Sequence, residues 1–464
     1  MSETGLSDRP ETQLDEDDRL RPAFVRDVLA AVEARDDARA RELVSPLHPA
    51  DLADLFELTP RELRGTLTRA LGDLVDADVF AELNEHVREE MVDTMNATQV
   101  ADIAAELDTD DAVAMIEDME ADDQAAVLRA LDPDDRAAIE AALSYPEESA
   151  GRLMQRELIA VPEHWTVGHT IDYLRENQEL TTDFWEIFVV DPAHRPVGTC
   201  ALSWILRTPR GVPIVDVMKR EQTLIPVDMD QEEVALRFQK YALISAAVTD
   251  DSERLVGMIT VDDIVHVIQE EAGEDITRLS GAGDGDINEP IGLTVRTRLT
   301  WLIVNLGTAV IAASVVGLFE GTIARFALLA VLMPIVSGMG GNAGTQTLAV
   351  VVRALATNQL TSSNTVRMVF RELRIALANG LSLGLLIGTG VGLVYGNPTL
   401  GLVIGAAMVI NNLVAGLAGI AVPVLLDRQD VDPAVSSAVF VTMATDVMGF
   451  FSFLGLATLA GLGQ

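Results

Sequence analysis

The 464-residue sequence has a single cysteine, only two lysines and few basic residues for its size. The lone Cys200 excludes a disulfide bond within the chain. The 33 basic residues face 72 acidic ones, which gives a formal net charge of −39. Nucleic-acid phosphates are bound by basic surfaces, so we expect no nucleic-acid partner. Abundant carboxylates with almost no lysine are typical of proteins adapted to high salt, where screening weakens self-repulsion.

Motifs of catalysis are also missing. No phosphate-binding loop of the Gly-x-x-x-x-Gly-Lys type occurs, and no strand-to-helix nucleophile turn is recognisable. The six histidines show no metal-ligand spacing; they are His48, His86, His164, His169, His194 and His266. We therefore predict neither an enzyme nor an ATP-driven pump.

Charge divides the chain near Pro290. Residues 1–290 have 66 acids and 25 bases, whereas residues 291–464 have 6 acids and 8 bases. Uncharged runs of 21, 27 and 52 residues follow Arg298, Arg325 and Arg374. A helix needs about 20 residues to cross a hydrocarbon core ~30 Å thick, and the longest run is interrupted by the turn signal Tyr-Gly-Asn-Pro at 395–398. With a last apolar run after Pro433, residues 296–464 are predicted to form a five-helix transmembrane domain.

The arginines of this second part indicate its orientation. If the N-terminal half is cytoplasmic, Arg325 alone lies outside, as the positive-inside rule requires. The arginines then placed inside are Arg296, Arg298, Arg353, Arg367, Arg371, Arg374 and Arg428. We predict a multi-pass plasma-membrane protein with its N-terminal half in the cytoplasm and its C-terminus outside.

Asp446 is the one charged residue of the last predicted span. Fourteen residues separate it from Asp432 on the cytosolic side, which places it near mid-membrane. A carboxylate there costs about 2.5–3.5 kcal/mol even on a lenient insertion scale. Since no basic residue lies at comparable depth in any predicted span, we expect Asp446 to face a cation pathway. A protonated, hydrogen-bonded aspartate is the alternative.

The second span contains Pro334 and four glycines between residues 338 and 344. A helix loosened in this way is tolerated at membrane depth only where its carbonyls line a cavity or are buried in protein. In that reading Asn342, Thr345 and Gln346 add side-chain oxygens. Close helix packing through small residues four apart explains the same glycines. The sequence leaves both interpretations open.

Residues 161–272 contain an internal duplication. Residues 188–191 (Phe-Val-Val-Asp) recur as 247–250 (Ala-Val-Thr-Asp) at an offset of 59, and Pro162 recurs as Pro226 at an offset of 64. Each copy is predicted to form helix, strand, turn, strand and helix. The pattern resembles a tandem pair of CBS modules, at 151–213 and 214–272.

The second copy has Gly257, Thr260 and Asp263 in a Gly-x-x-Thr-x-x-Asp pattern, similar to the one by which such modules hold the ribose and phosphate of a nucleotide. The first copy has Ala201 and Trp204 at the matching places. If an adenine nucleotide such as ATP binds, it is predicted to bind at Thr260 and Asp263 of the second copy alone. A purely structural dimerisation module is the alternative.

Residues 20–150 have the pattern of short amphipathic helices that begin after an Asp or Thr N-cap. They predict an all-α domain, wound as a superhelix of unassigned handedness. Residues 1–19, polar and acidic, are predicted to be disordered. The predicted fold class is thus multidomain: an all-α helical N-domain, an α/β tandem CBS pair, a connecting helix and a five-helix transmembrane domain.

Together these motifs resemble the MgtE family of magnesium transporters over residues 20–464. The segments that carry the resemblance are 145–154, the CBS pair, 270–276, 338–346, 432–434 and 445–446. The resemblance implies a homodimer in the lipid membrane, with a pore at the dimer axis between the second and fifth spans. It also implies a connecting "plug" helix over 273–295, and a pore metal at Asp446 with Asn342 and Thr345 near it.

The resemblance further implies that cytosolic Mg²⁺ binds between acidic cytosolic domains and closes the pore. The implied sensor positions are Asp110, Asp263, Glu271, Glu274, Asp275 and Asp432. Ala114 and His266 stand where the family can have acids, which predicts a weakened sensor. The spans have no Cys or His, so an oxygen-preferring cation such as Mg²⁺ is expected as cargo. The alternatives are Mn²⁺ or Co²⁺ as cargo, and a membrane-anchored CBS sensor without transport.

Overall fold

A computed structural model describes residues 13–117, 119–177, 184–282, 285–361, 363–429, 431–435 and 437–462. The chain divides into two compact units, residues 1–269 and residues 270–464, each with its own core. Residues 1–12 of the predicted disordered tail lie outside the described residues. Residues 13–19 differ from that prediction. They form a turn in which Leu14 pairs with Leu20, and the Gln13 side chain donates a hydrogen bond to the Leu43 carbonyl at 2.9 Å.

The first unit begins with ten short helices among the described residues. These are α1 Pro22–Glu33, α2 Asp37–Val44, α3 Pro49–Leu58, α4 Arg61–Leu71, α5 Ala77–Glu82, α6 Glu85–Val92, α7 Ala97–Ala104, α8 Thr109–Ile116, α9 Ala121–Ala130 and α10 Pro133–Leu143. Side-chain caps begin several of them, such as the capping box of Asn96 and Gln99 on α7. Their apolar faces share one core that includes the fully buried Phe56 and Phe80. The predicted all-α N-domain is confirmed.

The two CBS copies follow, and their elements repeat at both predicted offsets. The first has β1 Ala160–Pro162, α12 Val167–Glu176, β2 Glu186–Val190, β3 Pro196–Ala201 and α13 Leu202–Arg207, after the short helix α11 Ala150–Leu153. The second has β4 Leu224–Pro226, α14 Gln231–Tyr241, β5 Ser245–Thr249, β6 Leu255–Thr260 and α15 Val261–Ser280. In each sheet the first strand pairs parallel with the second, which pairs antiparallel with the third. The short first strand of each sheet was absent from the prediction.

The repeated aspartates explain the hairpins of the two copies. Asp191 accepts hydrogen bonds from the backbone N–H groups of Ala193 and Arg195, at 2.8 and 2.9 Å. Asp250 likewise accepts hydrogen bonds from the backbone N–H groups of Ser252 and Arg254, at 2.9 Å in both cases. The turns thereby close with the same chemistry, since a short carboxylate side chain mimics a backbone acceptor.

The connecting helix differs from its predicted range of 273–295. Helix α15 starts inside the second CBS copy and continues to Ser280, so the predicted plug segment is an extension of a CBS helix. Gly281, with φ of 69°, ends it in the left-handed conformation that glycine adopts without strain. A new helix begins only after Pro290, which stands at its N-cap.

The second unit contains five helices long and apolar enough to cross a membrane, among the residues described. They are α16 Ile291–Gly317, α18 Leu328–Ala356, α19 Thr365–Val394, α20 Pro398–Asp427 and α21 Ser437–Leu459, with the short α17 Glu320–Arg325 between the first two. The predicted five-helix transmembrane domain is confirmed, including the turn at 395–398 that separates α19 from α20.

Helices α19 and α20 approach each other through glycines. A methyl group added at Gly384 would lie 2.6 Å from the Gly405 carbonyl oxygen, and one at Gly388 would lie 2.7 Å from the Gly401 carbonyl oxygen. Backbones can come this close in a membrane only where neither helix has a side chain.

This packing predicts opposite effects of two alanine substitutions on α19. Gly388→Ala should lower the stability of the protein by roughly 1–3 kcal/mol, because its methyl group meets backbone that cannot move aside. Gly390→Ala is the matched control, since its methyl group would enter open space. It should leave stability unchanged or raise it by up to about 1 kcal/mol through helix propensity. Thermal unfolding in detergent measures both, and equal melting temperatures would contradict the close packing.

Candidate functional site

Asp446 lies near the middle of α21 and is half-buried. Its Oδ1 atom accepts a short hydrogen bond from the hydroxyl of Ser337, which lies ten residues into α18. The two helices run in opposite directions, so both residues are about 14 Å from the ends at which their helices begin. The structure therefore places a carboxylate and a hydroxyl together at the middle of the span.

Asn411 of α20 holds these two helices beside that pair. Its side-chain nitrogen donates a 2.9 Å hydrogen bond to the carbonyl of Val336, the residue before Ser337. Gly340 of α18 and Gly449 of α21 make room for the carboxamide, whose Cγ lies 2.7 and 3.2 Å from the positions of their missing methyl groups. Asn411 is 1% exposed, so it acts as a buried polar wedge between three helices.

The second span is a continuous helix through its glycine-rich segment, which corrects the interpretation of a broken span. Pro334 lies inside α18 without ending it. A methyl group at Gly344 would lie 2.5 Å from Val441, and one at Gly340 would meet Asn411. The glycines therefore allow close helix packing, and of the two interpretations left open by the sequence the structure favours this one.

Asn342 and Thr345 lie on α18 one to two turns beyond Ser337. Asn342 and Gln346 are exposed and Thr345 is half-buried, and the Thr345 hydroxyl donates to the Asn342 carbonyl at 3.1 Å. No hydrogen bond joins either predicted pore residue to Asp446 within the described part of the chain. Asn342 is exposed on α18, whereas Gln346 lines a cavity between α18, α19 and α20.

Two predicted sensor residues meet in the first unit. Asp110 at the start of α8 is 7% exposed, and Asp263 of α15 is close enough to repel its charge. Asp263 accepts hydrogen bonds from the Thr260 hydroxyl at 2.6 Å and from the Gln155 side chain at 3.2 Å. One carboxyl oxygen of Asp110 is buried without a hydrogen-bond partner.

Burial changes the acidity of this group. Loss of solvent, with repulsion from Asp263 next, raises the pKa of Asp110 well above its usual range. Burial raises the pKa of Asp263 to about 7, although the Thr260 hydrogen bond opposes the shift. Burial likewise raises the pKa of Asp111 to about 6, with Arg88 and His266 among the charges that lower it. Buried carboxylates that repel one another form a site that a divalent cation would stabilise.

His266 is exposed on α15, and its presence lowers the pKa of Asp111. Ala114 is half-buried on α8 and offers no side-chain oxygen. Neither side chain adds a carboxylate to this group, and the weakened sensor stays a prediction.

The remaining predicted sensor residues belong to the second unit. Arg278 forms an ion pair with Glu274 on its own helix and another with Asp432, at 2.8 Å, just before α21. Burial and the charge of Asp432 raise the pKa of Asp275. Glu271 lies one turn earlier on the same helix and is half-buried.

The end of α15 is thus held to the membrane helices by an ion pair and by apolar packing. Leu279, beside Arg278, packs against the apolar cluster of Leu348, Val352, Ala434 and Val441. The Arg278 guanidinium lies between Glu274 and Asp432, where a bridging divalent cation would compete with it. This arginine was missed from the sequence, because the chain has 31 arginines and nothing local distinguishes this one.

The structure shows no ready-made cluster of three metal-ligating side chains of the His, Cys, Asp or Glu type among the residues described. Pairs of carboxylates with hydroxyl and carboxamide neighbours are what it offers. Such pairs suit Mg²⁺, which keeps several of its waters and is held by one or two carboxylates. Ser337 and Asn411 were not predicted, since a lone Ser or Asn in an apolar span gives no signal of its partner.

Three parts of the chain match known protein families. Residues 333–456 match the family described as "MgtE: Divalent cation transporter", residues 47–148 match the MgtE intracellular N domain, and residues 214–270 match the CBS domain.

Three curated relatives match over most of their length, and each has the name "Magnesium transporter MgtE". The Bacillus subtilis protein is 30% identical over 90% of this chain and 93% of its own length. The Enterococcus faecalis protein is 33% identical over 69% of this chain and 71% of its own length, and the Thermus thermophilus protein is 32% identical over 92% and 96%.

The raised pKa values predict how the metal-free protein responds to pH. Because folding raises the pKa of Asp263, the folded chain binds more protons than the unfolded one between about pH 4 and 7, so stability falls as pH rises through that window. In EDTA, Asp263→Asn should flatten this dependence and raise the melting temperature at pH 8 by roughly 2–5 °C. Asp251→Asn, in an exposed turn, is the control. A wild-type melting temperature that stays constant from pH 4 to 8 would contradict the prediction.

Proposed function

The chain belongs to the MgtE family of divalent cation transporters, and on that premise we propose that it conducts Mg²⁺ through a pore at the axis of a homodimer, gated by cytosolic Mg²⁺. It is a multi-pass membrane transporter with a cytosolic N-terminal domain, and not an enzyme. The observation that supports the pore most directly is Asp446 with its Ser337 partner at mid-membrane.

Exposed polar groups of α18 and α21 support a dimeric pore. Asn342 is exposed at membrane depth, and Asp446 is only half-buried. Such groups are costly against lipid and belong next to protein or a water-filled path. A second copy placed against these two helices would enclose the polar groups of both chains. Two Asp446 carboxylates would then face one path, which suits a hydrated divalent cation.

Oxygen ligands favour Mg²⁺ as the cargo. Ser337, Asn342, Thr345 and Asp446 offer hydroxyl, carbonyl and carboxylate oxygens, and the five membrane helices contain no Cys or His. Mn²⁺ is the nearest competitor, because it accepts the same ligands, whereas Co²⁺ prefers nitrogen more strongly. An anchored sensor without transport would have no use for a carboxylate at mid-span.

The ends of the helices support the proposed orientation. Arg296 and Arg298 follow the start of α16, Arg353 ends α18, and Arg367 begins α19. Arg325, at the end of α17, stands alone on the opposite side. This distribution supports a cytoplasmic N-terminal unit and an outside location for the end of α21.

Asp446→Asn tests the pore. The substitution keeps the size and the hydrogen bond from Ser337 but removes the charge, so the dimer should form normally while Mg²⁺ flux into proteoliposomes falls at least about tenfold. Ser337→Ala should reduce flux less, because the carboxylate remains. Asp427→Asn, at the exposed cytosolic end of α20, is the control. Wild-type flux from Asp446→Asn would refute the assignment.

The gate is proposed to use the two acidic groups described above. Around Asp110 and Asp263, and around Glu274 and Asp432, a divalent cation converts repulsion between carboxylates into attraction. Mg²⁺ then shifts the equilibrium toward whichever state binds it more tightly, by no more than that difference in affinity. We assign the tighter binding to the closed state, in which α15 is held against the membrane helices.

Removal of Arg278 tests this gate, because it should affect protection without Mg²⁺ and affinity for Mg²⁺ in different ways. Arg278→Gln removes a cation that already bridges Glu274 and Asp432, so protection of residues 270–290 from protease in EDTA should fall. The Mg²⁺ concentration for half-maximal protection should also fall, by roughly two- to fivefold, because the ion no longer competes with the guanidinium.

The measurement is limited proteolysis at constant high KCl, with Arg278→Lys as the control that keeps the charge. Unchanged protection in EDTA would contradict the bridge. If added KCl alone gives the same protection, the acidic residues are a salt adaptation and not a Mg²⁺ sensor.

Nucleotide binding is proposed at the second CBS copy. Thr260 and Asp263 adjoin the end of β6, but they hydrogen-bond to each other and Asp263 also faces Asp110. A bound ribose would have to replace the Thr260 bond, so nucleotide and N-domain contacts share one carboxylate. Calorimetry with ATP on wild type and Asp263→Ala tests the site.

A further inference from the structure

A cavity of about 200 Å³ lies between α18, α19 and α20, away from the Ser337–Asp446 pair. Polar side chains from all three helices line it: Gln346, Thr347, Arg371, Glu372, Asn379 and Asn412. At about 30 Å³ per water molecule it has room for several. The proposed pore leaves this cavity without a role.

Glu372 is the most buried charged residue of the described membrane helices, at 5% exposure. It lies seven residues into α19, about 10 Å from the cytosolic start of that helix. Its Oε1 atom accepts a 3.0 Å hydrogen bond from the neighbouring Arg371, whose side chain is 61% exposed. Its Oε2 atom has only a long contact, 3.4 Å, with the Thr347 hydroxyl. One oxygen of a buried carboxylate is therefore poorly satisfied.

Asn412 supplies an independent sign of a missing ligand. It is 1% exposed at the centre of α20, and its side-chain nitrogen donates to the Met408 carbonyl at 2.9 Å. That bond fixes the amide orientation, which leaves Oδ1 as the free end. This oxygen is buried and has no hydrogen-bond partner in the described part of the chain. A buried acceptor without a donor costs about 1–3 kcal/mol, so something ordinarily satisfies it.

The cavity is not a consequence of loose packing. The same two helices, α19 and α20, are in backbone contact at Gly380, where a methyl group would lie 3.0 Å from Val409 and 3.2 Å from the Asn412 side chain. On α20 the cavity is lined by Asn412 and Gly416, and a methyl group at Gly416 would lie 3.0 Å from the Ala376 side chain, so the two helices stay closely packed beside it. Polar oxygens and open volume thus occur together at one place.

We propose that this cavity is a second cation site of the membrane domain, which holds a partly hydrated divalent cation near Glu372 Oε2, Asn412 Oδ1 and the Thr347 hydroxyl. All three are hard oxygen ligands, and one carboxylate with retained waters is the usual way of binding Mg²⁺. The choice of a divalent ion rests on the proposed function; the existence of a cation site does not.

Arg371 has a defined role in this site. It neutralises Glu372 when no cation is present, and its exposure leaves it free to move outward when one enters. The guanidinium and the metal then compete for the same carboxylate. If Arg371 and Glu372 formed only a structural ion pair, removal of either residue would destabilise the protein in the same direction. A cation site predicts opposite effects on metal binding.

The experiment follows Mn²⁺, an oxygen-preferring paramagnetic probe, at this cavity alone. A nitroxide is attached at Leu377→Cys on the exposed side of α19, in the full-length protein with Cys200→Ala to leave one thiol and Asp446→Asn to remove the pore site. Mn²⁺ broadens the nitroxide spectrum only at short range, so the titration reports occupancy near Glu372. Gel filtration confirms that each variant is folded.

Glu372→Gln should weaken the broadening at least about tenfold in Mn²⁺ concentration, and Asn412→Leu should weaken it as well. Arg371→Gln should strengthen it about threefold. Arg374→Gln, which removes a charge from the same helix outside the cavity, should leave it unchanged. Equal Mn²⁺ titrations of the spin-labelled parent protein and its Glu372→Gln variant would overturn the proposal. Weaker Mn²⁺ binding by the Arg371→Gln variant would overturn it as well.

The pore assignment and this cation site can be refuted independently of each other. If Asp446→Asn alone keeps full Mg²⁺ flux while the Glu372-dependent broadening persists, the proposed pore is wrong and this site stands. If flux is lost and no variant changes the broadening, the pore stands and this site is wrong.

Discussion

A carboxyl group at the middle of a membrane helix is the constraint on which the rest of the membrane domain depends. Asp446 cannot face lipid at acceptable cost, so its surroundings must offer polar contacts or water. The structure supplies Ser337 from the antiparallel helix α18 and fixes the spacing of the two helices with Asn411. Gly340 and Gly449 are needed beside Asn411, because its carboxamide lies between closely packed helices and takes the volume of two missing side chains. One buried charge thereby accounts for residues on three helices.

The buried carboxylates outside the membrane helices have the same energetic cost, and the structure compensates it in a different way. Asp110 and Asp263 are buried close to each other, and burial raises the pKa of both. In the second unit, Glu274 and Asp432 share Arg278, so their charges are already compensated. Arg88 and His266 act on the neighbouring Asp111, whereas Arg278 is in direct contact with both of its carboxylates. A divalent ion therefore has more to contribute at Asp110 and Asp263, where it meets repulsion, than beside Arg278, where it must displace a tethered charge.

Sequence patterns were sufficient for the elements of this fold but not for the partners of its charged residues. Uncharged runs predicted all five spans, and the duplicated Val-Val-Asp and Val-Thr-Asp segments predicted the two CBS copies with their offsets, because both signals are local and periodic. Ser337 pairs with Asp446 across 109 residues, and Arg278 with Asp432 across 154. No local pattern determines which of many serines or arginines will meet a given carboxylate. The glycine-rich span was ambiguous for a related reason: a glycine indicates close approach without identifying what approaches, and here a neighbouring helix and Asn411 do.

The described carboxylates of the membrane domain and its gate share one further property. Asp446 accepts from a serine, Asp263 from a threonine, Asp432 from an arginine, and Glu372 from an arginine with a threonine beside it. Every cation that binds at these positions must displace or share a donor that the protein already provides. Conduction requires binding that is strong enough for entry yet weak enough for release. Donors of this kind would lower the net affinity of each carboxylate for a cation while they hold it in place, as the proposed conduction requires of an ion that has to leave.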